Sequence, residues 1–125
     1  MTEKEIVEGN KLIIESPFVK DVQRQWMLKA KEAAEEFYTT NLLPKLEYHL
    51  SWDWQIPVWR KVNLAVKQVI SDLLDKKPGL YHTSEKFFLT QICDAYNDAV
   101  FQNDTLKGQQ IIVEAIKWYN TQPKP

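Results

Sequence analysis

Residues 16–37, SPFVKDVQRQWMLKAKEAAEEF, carry the pattern that decides the fold class. Ser16 suits the N-cap of a helix, and Pro17 suits its first position, where no amide donor is needed. Apolar side chains then recur at the three- and four-residue steps of one helix face, at Val19, Val22, Trp26, Ala30, Ala33 and Phe37. The stretch therefore predicts an amphipathic helix that begins at Ser16-Pro17 and turns this face toward the core.

The flanking sequence predicts four more helices, each with apolar side chains at helical period. They cover about residues 2–15, 51–77, 83–102 and 105–120. Pro57 removes an amide from the helix that Ser51 caps, so that helix either starts near Gln55 or kinks after Trp54.

Residues 41–50 differ from the rest, because apolar and polar side chains alternate at Leu46–Leu50, the period of a strand. A candidate partner strand is Leu80–His82. The chain is therefore predicted to be mostly α: a compact bundle of about five helices over residues 1–121, with at most a short two-stranded ribbon. A small α+β sandwich is the alternative, and residues 122–125 are predicted to form a frayed tail.

Composition narrows the class of protein. Hydrophobic residues make up 44% of the 125-residue chain and charged residues 26%, which is typical of one globular domain. No apolar run approaches the ~20 residues of a membrane span, so we expect a cytoplasmic protein with no membrane partner. Lys and Arg total 16 against 17 Asp and Glu. This balance argues against nucleic-acid binding, which would require the fold to gather lysines, such as Lys4, Lys11, Lys20 and Lys67.

Residues that could carry catalysis are sparse. The three glycines lie far apart and form no phosphate-binding loop. His49 and His82 lack the spacing of paired metal ligands. Cys93 lies on an apolar helix face, where a thiol is a poor nucleophile. The sequence thus predicts no enzyme, no cofactor and no metal.

Aromatic residues are the unusual feature. Three tryptophans lie within eight residues around Pro57, and a fourth occurs in the last predicted helix. They either fill the core and fix a helix start, or lie at an interface, where Trp, Tyr and Arg dominate binding energy. On the second interpretation the candidate interaction residues are Tyr48, His49, Trp52, Asp53, Trp54, Trp59, Arg60 and Trp118.

Three segments resemble small uncharacterised proteins of phages and prophages of Bacteroidota. The most specific is YHLSWDWQIPV at residues 48–58; the others are EGNKLI at 8–13 and VEAIKWYN at 113–120. The resemblance implies a phage or mobile-element origin, and we expect the three segments to lie together. Many members of that group have strands between their helices, whereas residues 18–38 and 85–102 are predicted to be helical here.

The leading functional hypothesis is a non-enzymatic, phage-type accessory protein that binds a host protein or itself. A homodimer through an apolar helix face fits equally well. One alternative is a small ligand-binding or metal-binding protein, or an enzyme, with a pocket near His49, Asp53 and His82, and this predicts that the two histidines approach each other. A further alternative is a nucleic-acid-binding accessory protein.

Overall fold

The computed structural model describes residues 2–76 and 83–122, and this part of the chain is 84% helical and has no strand. The mostly α prediction is confirmed, with six helices rather than about five. These are α1 (Glu3–Ile14), α2 (Asp21–Ala33), the single turn α3 (Glu35–Phe37), α4 (Trp52–Lys76), α5 (Thr83–Phe101) and α6 (Thr105–Thr121). Within these ranges, every helix is too short or too polar to span a bilayer.

The predicted start of the second helix is wrong by several residues. Ser16 is buried and closes α1 instead, because its hydroxyl donates to the Ile13 carbonyl (2.6 Å) and accepts from the Phe18 amide (3.4 Å). α2 therefore begins only at Asp21. The extra helix arises at Ala34, whose backbone (φ −156°, ψ 84°) leaves the helical region and separates α2 from α3.

The predicted ribbon is not formed by residues 41–50. Tyr38–Leu42 make a π-helical turn, Leu43–Lys45 make a 3₁₀ turn, and residues 46–51 have no regular structure. The alternation has another cause, since Leu46 and Tyr48 reach the core while Leu50 is exposed. The candidate partner, Leu80–His82, lies outside the described residues, as do residues 123–125 of the predicted tail.

α4 starts at Trp52 and continues through Pro57 to Lys76. Its Val62 and Val66 side chains are fully buried, and so are Ile112, Ala115 and Ile116 of α6. α6 packs against α1, α4 and α5. α6 thus lies beside both the first helix and the helix that starts at Trp52, whereas contacts among residues 8–13, 48–58 and 113–120 themselves stay a prediction.

Buried amides attach the irregular segment 43–51 to the helices. Asn10 of α1 is fully buried, and its amide nitrogen lies 3.4 Å from the Leu43 carbonyl, 3.2 Å from the Leu46 carbonyl and 3.3 Å from His49 Nδ1. Its oxygen accepts from Gln109 Nε2 of α6 (3.0 Å). The backbone of segment 43–51 forms no α-helix or sheet at these carbonyls, and Asn10 supplies hydrogen bonds to them instead.

Gln55 plays the same part in α4. Its side-chain nitrogen donates to the Tyr48 and Thr105 carbonyls, and its oxygen accepts from the Tyr96 hydroxyl (3.3 Å). This close approach is possible because α6 has Gly108 at the crossing, where a Cβ atom would overlap Gln55 Oε1.

Candidate functional site

The predicted interaction residues do not form one exposed patch. Trp59 is buried and stacks on Tyr96, with ring centroids 4.3 Å apart. The half-buried Trp52 meets the edge of the same Tyr96 ring, and its Nε1–H donates to Asn103 Oδ1 at 2.7 Å. Trp118 stacks on Phe88 at 5.0 Å. These three indoles join α4, α5 and α6 and have a packing role.

A second part of the predicted set lines a cleft between residues 18–23 and the start of α4. Tyr48, Asp53 and Trp54 line this space of about 250 Å³, together with Pro57 and Gln23. The Tyr48 and Trp54 rings meet edge to face at 5.2 Å. Burial raises the pKa of Tyr48 to about 12. Arg60 is exposed on α4 and is not among the residues that line the cleft.

The structure divides the residues of the predicted ligand or metal pocket. His49 lines a different cavity from Asp53, beside residues 102–106. His82 lies outside the described residues, so its approach to His49 stays a prediction. Among the described residues, no three His, Cys, Asp or Glu side chains come close enough together to hold a metal ion. Cys93 is half-buried, its thiol donates to Asn63 Oδ1 (3.4 Å), and burial raises its pKa.

The surroundings of His49 predict a pH-dependent contribution to the stability of the fold. Its Nδ1 lies 3.3 Å from the Asn10 amide nitrogen, which can only donate, so a hydrogen bond between them requires an unprotonated Nδ1. Burial lowers the pKa of the His49 ring, against a weaker opposite effect of Glu47. The unfolded chain therefore binds a proton first as the pH falls, so this contribution is present above about pH 6.5 and is lost as the pH drops through the folded-state pKa.

We therefore expect the urea concentration at the unfolding midpoint of the wild type to be lower at pH 5.5 than at pH 7.5. The same change of pH should lower the midpoint of His49→Gln by less. The comparison isolates this residue, because every other titrating group is present in both chains. Equal falls in the two proteins would contradict this assignment.

The large apolar side chains that are exposed on α2 and α3 belong to the set that the helical period predicts to be buried. Val22, Trp26 and Phe37 are 81%, 61% and 52% exposed, and Ala33 between them is exposed as well. We call these four residues the exposed stripe. The prediction that this face turns toward the core is wrong for all of them; of the same set, only Val19 is buried and Ala30 is half-buried.

A second set of residues on α2 explains the orientation. Arg24 donates from Nε to the Glu15 carbonyl (3.2 Å), and Lys31 pairs with the Glu15 carboxylate (2.7 Å). Met27 lies between them in sequence and is buried. Residues 24, 27, 28 and 31 share a helix face. This face packs on the end of α1 and leaves the more apolar face toward solvent. The sequence signal for this orientation is the spacing i, i+3, i+4, i+7 of residues 24, 27, 28 and 31, in which two basic residues flank two apolar ones.

Comparison with known proteins gives no relative: no protein-family model matches the chain, and no curated protein or solved structure matches it significantly. The surface of the chain itself is therefore what bears on its function.

Proposed function

We propose that this chain is a non-enzymatic protein-binding module and that the exposed stripe is its binding surface. The supporting observation is the exposure of Val22 and Trp26 on one face of α2, together with that of Phe37 in the adjoining turn α3. Singly exposed apolar residues are normal, but an aligned set marks an interaction site. Trp is also the residue type most enriched among binding hot spots, because it buries much area for few frozen rotors.

The polar flanks of the stripe fit the same role. Gln25, Lys29 and Glu32 of α2 are exposed beside it, which gives the polar rim that surrounds the apolar centre of an interface. The cleft lined by Tyr48 and Trp54 also includes Gln23, the neighbour of Val22. The cleft therefore extends to the first turn of α2, where Val22 begins the stripe.

The resemblance to small phage and prophage proteins supports an accessory role in a bacterial cytoplasm, with a host protein or a second copy as the partner. Protein binding also accounts for the nearly neutral charge, since such a surface needs no basic patch.

Retention of host proteins tests the binding surface. We expect the immobilised wild type to retain a host protein from a Bacteroidota lysate, and immobilised Trp26→Ala to retain at least tenfold less of that protein. Phe101→Ala is the matched control, because Phe101 is 90% exposed but lies at the end of α5, outside the stripe. Circular dichroism verifies that both variants are folded. Equal retention by Trp26→Ala and the wild type would exclude the stripe as the binding surface.

A further inference from the structure

The exposed stripe contains a large side chain, Trp26, and the positions that follow it on the same face of α2 carry only small side chains. Trp26 projects from α2 near its middle. Ala30 and Ala33 follow it on the same helix face, and Ala34 is exposed directly after them. Phe37 of α3 is exposed beyond the break at Ala34. At 1.5 Å per residue, the indole ring of Trp26 is therefore followed by the small side chains of Ala30 and Ala33 about 6–10 Å further along the helix axis.

Such a pair of features is self-complementary. When two copies of α2 lie antiparallel across a two-fold axis near residues 29–30, Trp26 of each copy lies over Ala30 and Ala33 of the other. In a two-fold interface each contact occurs twice, so the single contact of Trp26 with the alanines is made once in each direction. The alanines allow the two helix backbones to approach closely enough for the indoles to be covered.

Charges beside the stripe fit the same arrangement. Lys29 and Glu32 are both exposed and lie on one flank of α2. In an antiparallel pair of helices equal flanks face each other, so Lys29 of one copy lies beside Glu32 of the second copy, and the reverse. Lys29 is close to the axis, and its long stem lets the ammonium group turn from the other Lys29 toward that carboxylate. Lys31, in contrast, is held within its own chain by Glu15 at 2.7 Å.

We propose that the occupant of the exposed stripe is a second copy of this chain, bound through an antiparallel α2–α2 contact. This inference rests on the proposed function and names its partner. α2 has 13 residues and spans about 20 Å, so the interface is at the small end of specific contacts. We therefore expect dimerisation in the micromolar range.

Charge reversal tests the register of the two helices. In Lys29→Glu the flank carries only carboxylates, and in Glu32→Lys it carries only ammonium groups, so each variant repels its own copy. Sedimentation equilibrium should show a dimer for the wild type and a dimer dissociation constant at least tenfold higher for each single variant. An equimolar mixture of the two variants should recover wild-type dimerisation as a heterodimer, because the carboxylates of one chain then face the ammonium groups of the other. The double variant K29E/E32K should recover it within one chain.

The outcomes separate the two proposals. A monomeric wild type at millimolar concentration, or single variants that dimerise as well as the wild type, would overturn the second copy as occupant. If Trp26→Ala still abolishes retention of a host protein in that case, the binding module stands and its partner is a different protein. In a parallel contact the flank with Lys29 and Glu32 would face the opposite flank of the second copy, so neither the loss in the single variants nor its recovery in the double variant would occur.

Discussion

At pH 7.5, Asn10→Asp should reduce the free energy of unfolding by about 3–5 kcal/mol. The two side chains have almost the same size, so packing is preserved and only the hydrogen-bonding groups change. A carboxylate cannot donate to the Leu43 and Leu46 carbonyls, which Asn10 now reaches at 3.4 and 3.2 Å in a fully buried position. The new charge would face these carbonyl dipoles with no solvent to screen it. Since the free energy of unfolding of a small domain is about 5–15 kcal/mol in total, this change removes a large share of it.

Asn97→Asp is the matched control, because Asn97 is exposed within α5 and undergoes the same chemical change in water. Urea unfolding followed by circular dichroism measures both variants. We expect a change below about 0.5 kcal/mol for the control. A similarly small loss for Asn10→Asp would show that Asn10 does not attach segment 43–51 to α1.

Gly108→Ala should also destabilise the chain, by about 2 kcal/mol or more, against the direction that helix propensity predicts. Alanine in the middle of α6 would gain about 1 kcal/mol over glycine if space were free. The added methyl group, however, would overlap Gln55 Oε1 and lie 3.0 Å from Trp52 Cζ3. Gln55 cannot swing away cheaply, because its amide is bonded to Tyr48, Thr105 and Tyr96. The loss of these buried hydrogen bonds outweighs the propensity gain.

A double-mutant cycle with Gln55→Ala isolates this contact. Gln55→Ala alone should be destabilising, because two carbonyls lose their donor. In that background Gly108→Ala should be neutral or stabilising, since its main obstacle is gone. If Gly108→Ala costs the same in both backgrounds, the proximity of Gly108 and Gln55 has no energetic weight.

The sequence is sufficient to predict the helices that bury a continuous apolar face. α4 and α6 follow their patterns, with Val62, Val66, Ile112 and Ile116 at the positions that the helical period selects. In these two helices one face is clearly apolar, and the free energy gained by burying that face exceeds what docking through any other face would give. Trp59 and Trp118 also pack within the bundle, in line with the core interpretation of the tryptophans.

α2 shows why the site is harder to predict. Hydrophobic period identifies the two faces of a helix, but the face that docks depends on what the rest of the chain offers. Glu15 at the end of α1 attracts Arg24 and Lys31, and these lie on a different face from Trp26. Similarly, the period-two pattern at Leu46–Leu50 predicts a strand, although single buried side chains and the amide of Asn10 hold that segment. The partner residues of such polar contacts lie elsewhere in the chain, so the local pattern alone does not show which of two helix faces docks.

The two glycine–amide contacts restrict how the sequence can diverge. Gly9 accommodates Gln109, whose amide nitrogen would lie 2.7 Å from a Cβ at position 9, and Gly108 accommodates Gln55. A larger residue at either glycine is compatible only with a smaller one at its partner on another helix, so viable changes come in linked pairs. A distant relative would then be recognised by paired glycines and buried amides on neighbouring helices, rather than by its tryptophans.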